Sequence, residues 1–267
     1  MKRSGKRPLT DSIPEIEVQG REIVVNNGPH SIWGRYPLYD LVSLTTTSGS
    51  VAVSLVPQPA DPEKPDEPAR LLIKTESGSV LVNFGHISGN VEDVSSLPRR
   101  PYQVEIQTQS GSISGVFPFS SSASLSTDEG SINAVLAPVI GREEDDVTIS
   151  TTTSHGSQNI RLAEPVISHD VNERLSFIPT ASHTSTDGSL NLHYPRHWAG
   201  NVHAWTGPSG VSCLNGRGLR VVKSGDGNAW AIKKPDDSPE YYWWGGRGGM
   251  NVSLAAVEDG AISFFVG

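Results

Sequence analysis

The chain holds a single cysteine, Cys213, among 267 residues, so no intrachain disulfide can form. It holds two methionines and few runs of Ala, Leu, Glu and Lys, which argues against extensive helix. No apolar run approaches the roughly 18 residues that would mark a spanning helix. The first twenty residues, MKRSGKRPLTDSIPEIEVQG, carry charge but no apolar core of a signal peptide. A basic excess is also missing. The net charge is −8, whereas a broad nucleic-acid surface shows as an excess of Lys and Arg. With Met1 as the native start, these lacks predict an intracellular, cytoplasmic protein, without disulfides, that contacts neither membrane nor nucleic acid.

The acidic residues that are present gather in loops. Asp61, Glu63, Asp66 and Glu67 share one, and EEDD at 143–146 forms another. A calcium loop needs acidic ligands at alternating positions, and a contiguous run does not supply them. Hydrophobic residues make up 36% of the chain, below the roughly 45–50% of a typical globular domain, in which Gly is also counted. A core of that size suits a narrow column better than a ball.

What the chain has in quantity is one recurring phrase: Thr, a polar residue or two, Gly-Ser, then an aliphatic residue. It reads TTTSGSV at 45–51, TESGSV at 75–80 and TQSGSI at 108–113. TDEGSI at 127–132, TSHGSQ at 153–158 and TDGSL at 186–190 follow. Weaker echoes are PSGV at 208–211, SGDGNAW at 224–230 and EDGAI at 258–262. On either side of each phrase, side chains alternate apolar and polar, as in Leu71, Ile73 and Thr75 or Val104, Ile106 and Thr108. Each unit therefore reads as two short strands about a tight corner. Gly supplies a positive φ there, and the hydroxyls bond to local backbone.

Repetition of such a unit predicts an all-β, single-chain β-solenoid, a β-helix-like stack of irregular coils. Glycines 49, 78, 111, 130, 156, 188, 210, 227 and 260 mark the expected corners, taken in sequence order. About nine coils at about 4.8 Å make a rod roughly 40–45 Å long. Residues 1–13 read as a disordered basic tail, 14–40 as an N-terminal β cap, and 41–267 as the solenoid with an aromatic C-terminal segment. Proline-rich stretches at 57–68 and 97–101, and polar ones at 141–146 and 233–239, read as loop insertions, since proline gives no ladder donor.

The Thr-x-x-Gly-Ser-Val/Ile repeat resembles an adhesin-like β-solenoid family of bacterial domains of unknown function, over roughly residues 41–192. The closing segment YYWWGGRGGMNVSLAAVEDGAISFFVG, 241–267, is similar to a fungal domain of unknown function that carries the same repeat. The resemblance implies the solenoid fold and no catalytic residue.

Aromatic residues concentrate late: Trp198, Trp205, Trp230, Trp243 and Trp244, with Tyr241 and Tyr242. Four adjacent rings on a strand cannot all face inward, so some of Tyr241, Tyr242, Trp243 and Trp244 are expected outside, beside Arg247. With Trp230 they form the expected ligand-binding set, suited to stacking or cation–π contact. Capping of the stack and a homo-oligomer contact are the competing uses of the same rings. His183, His193, His197 and His203 lie close together, but Pro195 breaks any helical pairing, so no metal and no cofactor are expected. No nucleophile elbow and no phosphate loop is present. Asn251-Val-Ser253 is a glycosylation sequon that matters only in a secretory setting.

Two functions are therefore expected to compete. The first is a non-enzymatic, adhesin-like scaffold that presents its surface to a protein or glycan partner. The second is a carbohydrate-active lyase or hydrolase on a β-helix, with Asp128, Glu129 and Asp187 as the candidate carboxylates.

Overall fold

The computed structural model describes residues 15–84, 97–98, 100–140, 147–167, 180–234, 249–258 and 260–267. Among these there is no helix, and the strands pair almost throughout in parallel. The chain opens with a hairpin, β1 (Glu15–Gln19) and β2 (Glu22–Asn26), followed by β3 (Ile32–Leu38). Regular coils follow. They are β4 (Leu41–Thr46) with β5 (Val51–Pro57), β6 (Ala69–Ser77) with β7 (Val80–Phe84), and β8 (Tyr102–Ser110) with β9 (Ile113–Phe119). Next come β10 (Ser122–Glu129) with β11 (Ile132–Ile140), then β12 (Thr148–His155) with β13 (Gln158–Leu162) and the short β14 (Val166–Ile167). The later elements are β15 (Thr180–Asp187) with β16 (Leu190–Tyr194), β17 (Gly200–Thr206) with β18 (Ser212–Gly216), the hairpin β19 (Arg220–Gly225) and β20 (Asn228–Lys233), and β21 (Met250–Ala256) with β22 (Ile262–Val266).

The first strand of each coil joins a sheet ordered β1-β2-β4-β6-β8-β10-β12-β15-β21-β17-β20-β19, which we term the front sheet. The second strand joins a back sheet ordered β3-β5-β7-β9-β11-β13-β16-β22-β18. Among the described residues nine two-strand coils thus form the expected β-solenoid. Strands β2 and β3 already run in parallel register with β4 and β5, so the N-terminal segment is the first coil, with β1 covering the end of the front sheet. The hairpin β19–β20 covers the opposite end of that sheet, pairing antiparallel to β17.

The structure departs from the expected corners in two ways. Gly227 belongs to the turn between β19 and β20, not to a coil, and His30 forms the first corner instead. The coils also do not stack in sequence order. The C-terminal coil β21–β22 lies between β15–β16 and β17–β18.

The corner itself explains the repeat. A Cβ on Gly78 would lie 2.3 Å from the Gly49 carbonyl oxygen, and one on Gly130 2.2 Å from that of Gly111. On Gly156 it would lie 2.1 Å from the Gly130 oxygen, and on Gly260 2.1 Å from the Gly188 oxygen. Close approach, rather than a positive φ, is what all the corners share, since Gly49, Gly78 and Gly260 have no positive φ. The glycine carbonyl is then met by the threonine of the next coil. Thr127 Oγ1 donates to Gly111 O at 2.9 Å, Thr153 to Gly130 O at 2.9 Å, and Ser185 to Gly156 O at 3.0 Å. Thr75 and Thr108 do the same to Gly49 and Gly78 at 3.3 and 3.2 Å. These hydroxyls are buried, where an unpaired polar group would be costly. The serine after each glycine builds a second ladder outside. Ser79 Oγ accepts from Ser112 N–H at 3.3 Å, Ser112 Oγ from Ser131 N–H at 3.2 Å, and Ser189 Oγ from Ala261 N–H at 3.2 Å.

Between the sheets runs one column of Leu, Ile, Val and Phe, extended near the C-terminal end by Tyr194, Trp198 and Phe264. The proline-rich insertion is fastened to the stack by charge. Asp40 is bridged by Arg21 at 2.8 Å and by the buried Arg100 at 2.7 Å. Arg100 also donates to Glu67 O at 2.7 Å, and Arg21 to Pro59 O at 2.6 Å. Burial alone would raise the Asp40 pKa, but the two guanidinium hydrogen bonds outweigh it and hold the carboxyl below its ordinary value.

In the coils of β12 and β15 the core becomes polar. His183 replaces an aliphatic residue and is fully buried, in register with Thr151 and Leu254. Thr151 Oγ1 donates to Gln158 Oε1, so it accepts from His183 Nδ1–H at 2.7 Å. His183 Nε2 then accepts the Tyr194 hydroxyl proton at 2.8 Å. Gln158 completes the chain by donating to Thr184 O at 2.7 Å. Every member is satisfied only while His183 is neutral. Burial accordingly pushes its pKa down to about 3.

Two tests follow from this architecture. Gly156→Ala is expected to lose about 2–3 kcal/mol by overpacking, Thr153→Val about 1–2 kcal/mol through the stranded carbonyl, and Ser154→Ala, off both ladders, within about 0.5 kcal/mol. Urea midpoints rank the three, and an Ala at 156 as stable as the parent contradicts the corner. The second test concerns pH. Because the folded state holds His183 neutral, its contribution is complete above about pH 6.5 and declines as pH falls toward about 3, by up to about 1.4 kcal/mol per pH unit. His183→Gln keeps neutral donors and acceptors, so its stability profile should be flatter over that window. Parallel profiles for the two proteins would exclude the buried-neutral assignment.

Candidate functional site

Strand alternation leaves one residue in two of the front sheet facing solvent, and the stacking places these in straight columns. The central column reads Ser124, Ser150, Ser182 and Ser253, continued by His203 and Trp230. On one side of it lie Ser122, Thr148, Thr180, Asn251 and Asn201, and on the other Ser126, Thr152, Thr184, Ala255 and Trp205. Rungs along a column are about 4.8 Å apart, and columns are separated by roughly 6.6–6.8 Å. From β10 to β21 none of these outward positions is ionisable. The surface is a flat tray of hydroxyl and amide groups.

Aromatic rings close the C-terminal end of the tray. Trp230 is 48% exposed and Trp205 40%, both on the front face. The His203 ring lies against Trp230 with centroids 5.7 Å apart and planes inclined by 48°. A shallow groove of about 540 Å³ runs along this end, lined by Thr148, Ser150, Thr180, Ser182, Asn251 and Ser253 and ending at Asn201, His203 and Trp230. Asn201 Nδ2 donates to Asn251 Oδ1 at 3.2 Å, which sets the amides in one orientation. The asparagine of the sequon thus lies in the groove.

Of the six expected binding residues, Trp230 lies at this site. Tyr241, Tyr242, Trp243, Trp244 and Arg247 fall outside the described residues. Trp198 is a core residue, donating its indole N–H to Met250 Sδ at 3.3 Å. The serine columns were missed because Ser-x-Ser and Thr-x-Thr within one strand carry no message until the register is known. A third exposed tryptophan, Trp33 at 78%, stands at the far end on β3 of the back sheet.

The histidines separate. His183 is in the core, His193 stacks on Phe265 at 5.2 Å, and His197 Nδ1 lies 3.0 Å from Glu164. Burial, then the charge of Arg161, lowers the His193 pKa. Among the described residues no group of three His, Cys, Asp or Glu side chains could hold a metal ion, and no helix is long and apolar enough to cross a membrane.

The candidate carboxylates lie elsewhere, along the corner edge. Glu129, His155 and Asp187 occupy successive rungs of one column, all exposed, and Asp128 adjoins Glu129. A glycosidase needs two carboxyl groups facing each other across the scissile bond. Here Glu129 and Asp187 stand on the same side of the stack with a histidine rung between them. A second groove, of about 700 Å³, runs past Glu76, Gln109, Asp128 and Glu129 on that edge.

No family model, no curated protein and no solved structure matches this chain.

Proposed function

We propose that the protein is a non-enzymatic, adhesin-like binding scaffold whose contact surface is the C-terminal end of the front sheet. One observation carries the reading. Two tryptophans and a histidine stand exposed at the edge of an uncharged polar surface held flat by the stacked coils. Exposed large aromatic rings on a rigid support are the residues that dominate contacts when they become desolvated. Backbone pairing on both sides fixes β17 and β21, so little ordering cost remains on binding. The repeat's resemblance to adhesin-like solenoids agrees with a display role.

The reading is tested by screening the intact chain against immobilised glycans and cell lysate, beside a Trp205→Ala/Trp230→Ala variant. A Tyr242→Ala/Trp244→Ala variant forms a separate arm. The front-sheet variant should lose about 30-fold or more in affinity for any partner captured, with an unchanged melting temperature. Full retention of every partner by that variant would reject the surface. Loss confined to the Tyr242/Trp244 arm would move the contact to that segment.

A further inference from the structure

We infer that the ligand of this surface is an uncharged, extended polysaccharide lying along the stack axis over the Ser150–Ser182–Ser253 column, with one sugar per coil and a terminal ring on Trp230. The inference rests on the binding-scaffold reading and specifies its ligand.

Charge is the first argument. The chain as a whole carries −8, yet the three outward columns of the tray carry no charge from β10 to β21, and the carboxylates of the same strands, Asp128, Glu129 and Asp187, stand apart from it at the corner edge. Ionisable groups return just beyond the tray in the same column, at Glu105 on β8 and Lys223 on β19. A uronate, sulfated or nucleic-acid polymer would find no counter-charge on the tray, and a neutral polymer loses nothing by that. A protein partner meets no large apolar side chain between β12 and β21, because the outward residues there are Ser, Thr and Asn with Ala255 alone apolar.

Spacing is the second argument. Parallel coils repeat every 4.8 Å or so, close to the advance of one sugar along an extended chain. A polymer running across the strands therefore meets an equivalent hydroxyl at each residue. Each serine can donate one hydrogen bond and accept others, matching sugar hydroxyls in either sense. At the C-terminal end the hydrogen-bonded amides of Asn251 and Asn201 offer both donor and acceptor. The third argument is the ring. The Trp230 face, 48% exposed beside His203, provides the apolar platform onto which the C–H face of a pyranose packs.

The experiment uses the full chain with cello- and chito-oligosaccharides of two to six residues, followed by tryptophan fluorescence and calorimetry. Polygalacturonate and heparin serve as charged comparisons. Affinity for at least one neutral series should rise with length, by about tenfold or more from dimer to pentamer, and be insensitive to salt. Ser182→Lys, which places a charged stem in mid-tray, should weaken binding by about tenfold or more. Asn159→Lys, on the back sheet, should change it by less than about twofold. Binding of the charged polymers alone, length-independent binding, or an unaffected Ser182→Lys would overturn the inference. So would failure of both neutral series to bind. If a non-glycan partner is nevertheless captured through Trp205 and Trp230, the scaffold reading stands and only its glycan ligand falls. Neutral-glycan binding that survives Trp205→Ala/Trp230→Ala sinks the scaffold surface itself.

Discussion

The distance between one corner and the next governs this molecule. Successive glycines pack so closely that a Cβ would sit little more than 2 Å from the preceding carbonyl oxygen. That approach buries the carbonyl and leaves it needing a donor. The inward threonine of the next coil, three residues before that coil's own corner glycine, supplies one. Threonine suits the place twice over, since its branched Cβ favours a strand and its hydroxyl reaches the neighbouring coil. Serine, outside, relays the next N–H. Three residue types thus answer one geometric demand. They hold every coil in the same register, and a slip by one residue would turn the aliphatic column outward.

The phrase announces the repeat because the corner tolerates so few substitutions, and the alternation around it sorts inside from outside. What the pattern hides is the order of stacking. The C-terminal coil has Ala256 where others have Thr and Ala261 where others have Ser, so it reads as a faint echo. Its neighbours explain why it survives. Val257 N–H bonds to Ser185 O and Gly207 N–H to Ala256 O, both by backbone alone. Gly227 misled in the opposite way, since a hairpin turn and a solenoid corner both call for glycine. His183 and Gln158 were opaque because a lone polar residue in a strand can sit on either face. Only the register shows them paired with Thr151 and Tyr194.

The polar chain through His183 and the ionic clamp at Asp40 mark two departures from a uniform column. The clamp has a local use: Arg100 and Arg21 collect the carbonyls of 58, 59 and 67, so the proline-rich insertion is tied down without strands. The His183 chain lies in the coils whose outer faces form the tray, under Ser182 and Thr184 of the same strand. A fully satisfied buried network fixes strand position more strictly than aliphatic packing does. That strictness suits a surface whose usefulness depends on regular spacing.

The tray is assembled from segments that are remote in sequence. Strands β10, β12 and β15 arrive in order, but the next rung comes from β21, at the end of the chain, and the one after from β17, made earlier. Trp230 is then carried in by the hairpin that covers β17. Until β21 enters between β15 and β17, the serine column is broken and the aromatic end is detached from it. The intercalated coil therefore does more than close the stack. It joins an uncharged hydroxyl surface to the rings that can hold a ligand on it, and so completes the candidate site in the same step that completes the fold.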